Sequence, residues 1–157
     1  MEHFYNFPQI VYDSDANITL TNVFVRGRIK EKILSNAISY YNYRVRDGDK
    51  PETIADKYYG HTRYTWVILY ANNIIDPQFD WPLTNTEFIR YLDKKYNTGS
   101  QQEYQVIADL QSTIHHYENN KGQVVLQADA EGNPGISLYD WEQTINESKR
   151  EIKVIDS

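Results

Sequence analysis

Apolar and polar positions break the chain into short segments of changing period. Residues 1–24 are irregular, with aromatics around Pro8 and a turn-like stretch at 13–17. Residues 18–25 follow as an extended arm or edge strand. From 28 to 41, Ile29, Ile33, Ala37 and Tyr40 or Tyr41 recur at helical spacing, which predicts a helix. Arg26, Arg28, Lys30 and Lys32 crowd its beginning, where positive charge opposes the helix dipole. The cluster therefore reads either as a solvated face or as a surface for an anionic partner.

Residues 43–46 alternate as a strand and 47–49 form a turn. Asp49 and Glu52 have capping-box spacing, and Pro51 suits a first helical turn because its missing amide hydrogen goes unused there. Ile54, Ala55 and Tyr58 form an apolar stripe that Gly60 ends. A second helix over 63–71 carries Trp66, Val67 and Tyr70 and stops at Asn72 and Asn73. Residues 74–83 hold two prolines and read as a packed loop. Thr84 and Glu87 again have capping-box spacing, opening a helix through Phe88, Ile89, Leu92 and Tyr96.

Residues 97–102 form the clearest linker, and the character changes after it. Candidate strands lie at 104–107, 113–117, 124–128 and 151–155, with a hairpin turn at 119–122 and a polar loop at 129–135. Residues 140–150 fit a helix or an extended segment. This tail is poor in apolar residues, so its stability depends on a partner or on the rest of the chain.

Composition narrows the function. At 157 residues the chain has the size of one domain, which excludes a large multidomain enzyme. Its net charge of -6, without a long basic block, disfavours a general nucleic-acid binder. The 22 aromatic residues include 14 Tyr, suited to wet interfaces, carbohydrate faces or ordinary cores. With no Cys there are no disulfides, thiol nucleophiles or cysteine metal sites. The N-terminal residues lack a signal-peptide pattern and no long apolar run occurs, so neither export nor a membrane span is expected.

Catalytic patterns are missing. His115 and His116 are adjacent, and strand neighbours point to opposite faces, which argues against one shared metal. Asp76, Asp80, Glu87 and Asp93 supply carboxylates of the kind glycoside hydrolysis needs, but they also suit caps and turns. No HExxH, serine-nucleophile, phosphate-loop or dinucleotide signature is present. No catalytic residue, metal or cofactor is therefore expected. Tyr58, Tyr59, Tyr64, Trp66 and Tyr70 fit either a groove that stacks on sugars or the aromatic core of a helical pair. The glycosylation patterns at Asn17 and Asn146 read as accidental without export.

Residues 43–49, followed by 54–60 and then 66–73, resemble the opening of a LysM module. That family folds as strand, two helices and strand, and its usual members bind N-acetylglucosamine-containing glycans. The resemblance ends at Asn73, where 76–83 replace the family's closing glycine, leucine and isoleucine-proline segment. A broader resemblance spans nearly the whole chain. The stretches 21–26, 47–56, 66–77, 80–83, 116–118 and 146–156 resemble the LysM-like baseplate wedge protein family of contractile-tailed bacteriophages.

This resemblance implies an α+β fold: a LysM-like strand-helix-helix core with an N-terminal arm and helix and a strand-rich C-terminal extension. The implied divisions are 1–42 for the arm and helix, 43–96 for the LysM-like domain with an additional helix, and 97–157 for the docking extension. It also implies a structural virion protein of the tail baseplate, assembled in the host cytoplasm and joining neighbouring wedges. Its implied partners are the large wedge scaffold subunits and a small lysozyme-like inner wedge protein, with no nucleic acid or membrane. Interface candidates are Arg26, Arg28, Arg44, Arg46, Tyr64, Trp66, Tyr70, Phe79 and Trp81. The alternative function is a non-catalytic LysM-type module binding peptidoglycan or chitin oligomers.

Overall fold

A computed structural model describes residues 7–13, 15–25, 27–36, 39–99, 101–126, 132 and 134–156. In chain order its elements are β1 (Gln9–Asp13), β2 (Ile18–Thr21), α1 (Glu31–Leu34), β3 (Tyr40–Arg44), α2 (Pro51–Tyr59) and α3 (Thr65–Ala71). Then follow α4 (Pro77–Asp80), α5 (Asn85–Tyr96), α6 (Glu103–Ser112), β4 (Ile114–Glu118), β5 (Val124–Val125), β6 (Gly135–Ser137), α7 (Leu138–Ser148) and β7 (Glu151–Ile155). This is a mixed α+β fold whose sheets are small: β1-β2, β3-β7 and β5-β4-β6. Two compact units divide it, one of Met1–Tyr43, Asp49–Asp80 and Ile152–Ser157, the other of Arg44–Gly48 and Trp81–Glu151.

In the first unit, β1 and β2 form an antiparallel hairpin with Ile10 opposite Leu20. The Asp13 carboxylate holds the turn by accepting from the amides of Asp15 and Ala16. Among the described residues of 28–41, the expected helix is a single turn, α1, and Ala37 lies outside the described residues. Residues 40–44 instead form β3, where consecutive tyrosines suit a pleated surface and the backbone pairs with distant β7.

Pro51 opens α2, as its spacing predicts, but Asp49 does not cap it. Thr53 Oγ1 accepts from the Lys50 amide at 2.9 Å and donates to the Lys50 carbonyl at 2.7 Å. The Asp49 carboxylate instead accepts from the Tyr43 hydroxyl at 2.6 Å. Gly60 ends α2 in the left-handed conformation, φ 71°, with its amide donating to the Asp56 carbonyl. A 3-10 turn at Thr62–Tyr64 leads into α3. Ile54, Ala55, Ile68 and Ala71 are buried on the two helices, while Ile152 and Val154 are buried on β7. The 74–83 stretch is not wholly loop. Asp76 accepts from the Gln78 amide and Asp80 from the Ile75 and Asp76 amides, which winds Pro77–Asp80 into α4.

The second unit begins its helical part as the capping spacing predicts. Thr84 Oγ1 accepts from the Glu87 amide, and the Glu87 carboxylate accepts from the Thr84 amide. Phe88 and Leu92 of α5 then meet Val106 and Leu110 in one core cluster, flanked by Leu83, Tyr96, Ile107, Leu138 and Tyr139. The strand expected at 104–107 is therefore helix α6, because Val106 and Leu110 recur at i, i+4 and bury one face. Residues 140–150 resolve into α7, capped by Ser137 accepting from the Asp140 amide. With α6 of 10 residues and α7 of 11 against strands of 5, 2, 3 and 5, the described part of the tail is more helical than strand-rich, contrary to the expected strand-rich extension. The hairpin turn at 119–122 joins β4 to β5 as expected. Much of the polar loop at 129–135 lies outside the described residues.

Polar side chains fasten the second unit. Asn146 accepts from the Leu83 amide at 2.7 Å and donates to the Leu83 carbonyl at 3.1 Å. Arg150, buried, donates to Glu147 at 2.7 Å and to the carbonyls of Leu83 and Val45 at 3.0 and 3.3 Å. Asp47 accepts from the Asn85 amide at 3.0 Å. The 44–48 segment and the start of α5 are thereby fixed to the end of α7.

Candidate functional site

An open cleft of about 430 Å³ lies in the first unit. Tyr64, Trp66 and Tyr70 come from the 3-10 turn and α3, and Arg28 comes from the segment before α1. Four of the sequence candidates therefore meet in one place. Trp66 and Tyr70 are four residues apart on a helix and share a face, with ring centroids 5.8 Å apart in an edge-to-face contact. Phe7, Pro8, Val25 and Ile29 extend the apolar lining.

Two lining residues escape composition and periodicity. Arg63 contributes a guanidinium 5.0 Å from the Tyr64 ring centroid. Gly27 allows close approach: a Cβ there would lie 3.0 Å from Tyr70 Cε2. Their signal in the sequence was weak, for an Arg beside a Tyr and a lone Gly in a polar stretch are common.

The remaining candidates lie elsewhere. Phe79 is 70% exposed on α4, whereas Trp81 is buried at 9%. Arg44 is exposed and bonds Glu147 and Glu151, each at 2.8 Å. Arg46 is exposed. Arg26 lies outside the described residues.

The histidines do not diverge. A register irregularity between Ile114 and His116 lets both rings pack on Trp141, stacked for His115 and edge-on for His116. Their Nδ1 atoms are 2.8 Å apart, so one carries the hydrogen and the other accepts it; His116 Nε2 contacts Glu118 at 2.8 Å. Among the described residues no group of three or more His, Cys, Asp or Glu is arranged to hold a metal ion. The carboxylates considered for hydrolysis make structural bonds instead: Asp76 and Asp80 in the α4 turn, Glu87 in its cap, and Asp93 to Asn97.

A cluster of perturbed titrating groups belongs to the helix packing. Glu142 accepts from Lys95 and Tyr96, each at 2.6 Å, and from Tyr91 at 3.3 Å. Burial pushes its carboxyl up, but hydrogen bonds from Lys95 and Tyr96 outweigh this and hold it below the usual range. The same bond to Glu142 raises Lys95, and burial followed by the Glu142 hydrogen bond raises Tyr96. Burial also raises Tyr59, opposed by its hydrogen bond to the Ile155 carbonyl. No described helix is long and apolar enough to cross a membrane.

A protein-family profile described as base plate wedge protein 53 matches residues 4–155. No curated protein matches the chain.

Proposed function

Since the chain belongs to the phage base plate wedge protein 53 family, a structural family of the virion tail, we propose that its work is to dock other wedge proteins and help join neighbouring wedges. The observation that carries this reading is the cleft, where Arg28, Tyr64, Trp66 and Tyr70 converge. Tyr, Trp and Arg are the residue types in which binding energy concentrates at protein interfaces. Phe79 adds a separate exposed anchor, and the β1-β2 hairpin adds exposed Ile10, Tyr12, Ile18 and Leu20. An isolated two-stranded hairpin is marginal in water, so a partner surface would stabilise it.

Large scaffold subunits and a small lysozyme-like inner wedge protein are the proposed partners, with assembly in the host cytoplasm before the wedge enters the virion. The proposed division assigns 1–42 to an arm and helix, 43–96 to a LysM-like region and 97–157 to a docking extension. Support for the LysM-like reading comes from the order β3, α2, α3 and from the pairing of β3 with β7. Residues 151–155 would supply the closing strand that 76–83 do not. Trp81 acts in this account through packing, and Arg44 and Arg46 as rim charges.

Convergence of three aromatic rings also favours a second reading, a glycan-binding module for peptidoglycan or chitin oligomers. Reconstitution separates the two. The purified chain should co-elute with wedge scaffold proteins and show no calorimetric signal with chitin oligomers. Failure to join the scaffold, together with chitin binding, would overturn the docking reading.

A further inference from the structure

Two histidines side by side in a regular strand would point to opposite faces. The register irregularity in β4 instead sets both rings against Trp141, His115 stacked with centroids 5.1 Å apart and His116 edge-on at 5.2 Å. The two rings differ in access. The His116 side chain is 9% exposed and its Nε2 lies 2.8 Å from the Glu118 carboxylate, whereas His115 is exposed. A carboxylate only accepts, so His116 Nε2 carries a hydrogen. The two Nδ1 atoms, 2.8 Å apart, hold a single hydrogen between them.

That contact tolerates one added proton and not two. With one, His116 becomes an imidazolium held by Glu118 and donates from Nδ1 to the lone pair of His115. With two, both Nδ1 atoms are donors and two cations face each other with centroids 5.0 Å apart. Stacking of a cationic ring on indole offsets this repulsion only in part at an exposed site. We infer that the His115 and His116 pair is an acid-operated latch in the second unit: a second proton frees the outer His115 ring from Trp141 while Glu118 retains His116. Acid thereby uncovers one indole face between β4 and α7.

Neighbouring ionisable groups do not enter the contact among the described residues. On β4 itself they are Tyr117 and Glu118, and β5 and β6 contain none. In α6 the Asp109 carboxylate accepts from Gln101. In α7 Asp140 accepts from Ser137, Glu142 from Lys95 and Tyr96, and the Tyr139 ring packs on Phe88. Asp129 and Glu131 lie outside the described residues. A charge from either moves the pH of release without making room for a second hydrogen between the Nδ1 atoms.

The test follows the imidazole nitrogens of the isotope-labelled full chain by NMR from about pH 8 to about pH 5, the range in which histidine ordinarily changes charge. At the upper end a scalar coupling between the two Nδ1 atoms is expected, together with cross-relaxation from the His115 ring to Trp141. On acidification both should be lost together, while His116 keeps its contact with Trp141 and the amide spectrum stays dispersed. Glu118→Gln should move the loss to lower pH, since the second proton then joins a pair without its counter-ion. In His116→Phe, which keeps an aromatic ring against Trp141 and takes away the shared hydrogen, His115 should stay stacked throughout. The absence of any coupling between the Nδ1 atoms, a coupling that survives to about pH 5, or a His115 ring that stays on Trp141 after both rings are protonated overturns the inference. So does a release that persists in His116→Phe, that is unmoved in Glu118→Gln, or that comes only with global unfolding.

Discussion

The Asn72 side chain forms two hydrogen bonds with the backbone of Lys153, donating from Nδ2 to its carbonyl at 2.8 Å and accepting from its amide at 2.7 Å. A single side-chain amide thus imitates the pairing of a neighbouring strand and ties the end of α3 to β7 across 81 positions. The same Nδ2 also donates to the Ile68 carbonyl at 2.8 Å.

Asn72→Ala should cost about 2–4 kcal/mol, because it strands a backbone amide and a carbonyl whose partner was lost. Asn72→Asp keeps the acceptor but turns a charge toward the Lys153 carbonyl, so it should be no milder. Urea unfolding checks both. A loss below roughly 0.5 kcal/mol for the alanine variant would remove Asn72 from the account of β7.

Burial should separate two arginines. Arg150→Ala breaks bonds to Glu147 and two carbonyls in a buried site and should cost about 3 kcal/mol or more. Arg44→Ala removes two ion pairs from a side chain that is 61% exposed and should cost no more than about 1 kcal/mol. Equal losses by denaturant titration would contradict the packing assigned to Arg150.

Glu142 makes stability fall in acid. Its folded-state carboxyl lies below the usual range, so its contribution is present above the unfolded value and disappears as pH drops through the folded one. Lys95, raised in the fold, contributes below its unfolded value and loses that contribution only at strongly alkaline pH. Glu142→Gln should therefore lower stability at neutral pH and flatten the acid limb below about pH 5. Unfolding midpoints measured across that range check the slope. A variant as acid-sensitive as the parent would assign the slope to other carboxylates.

The two tryptophans of the candidate set should behave oppositely. Trp81→Ala opens a cavity at a buried position and should cost about 3–5 kcal/mol. Trp66→Ala, in the cleft wall, should cost less stability and weaken wedge binding by about 2 kcal/mol or more. Thermal unfolding and binding titration of each variant separate the roles. Unfolding of Trp66→Ala alone would make that residue core.

Local signals in the sequence carried the helix starts and stops. Thr84 with Glu87, Pro51, and Gly60 work within a turn of the residues they order, so spacing sufficed to place α5 and both ends of α2. The misreadings came where distant contacts decide. Tyr40 fits a helical period with Ile33 and Ala37, yet pairing with β7 makes it strand. Val106 and Leu110 become a helix face because Phe88 and Leu92 cover them. Four cleft residues were legible from aromatic and arginine enrichment. Arg63 and Gly27 were not, since an Arg adjoining a Tyr carries no pattern of its own and only the folded chain brings Gly27 beside Tyr70.

Docking within the base plate wedge is tested most directly by mass-resolved co-purification of the chain from infected cells, with crosslinking to locate its contacts. The account predicts a stable complex with wedge scaffold proteins and crosslinks at the Tyr64 and Trp66 cleft. Recovery of the chain alone, retained on chitin oligomers, would contradict it.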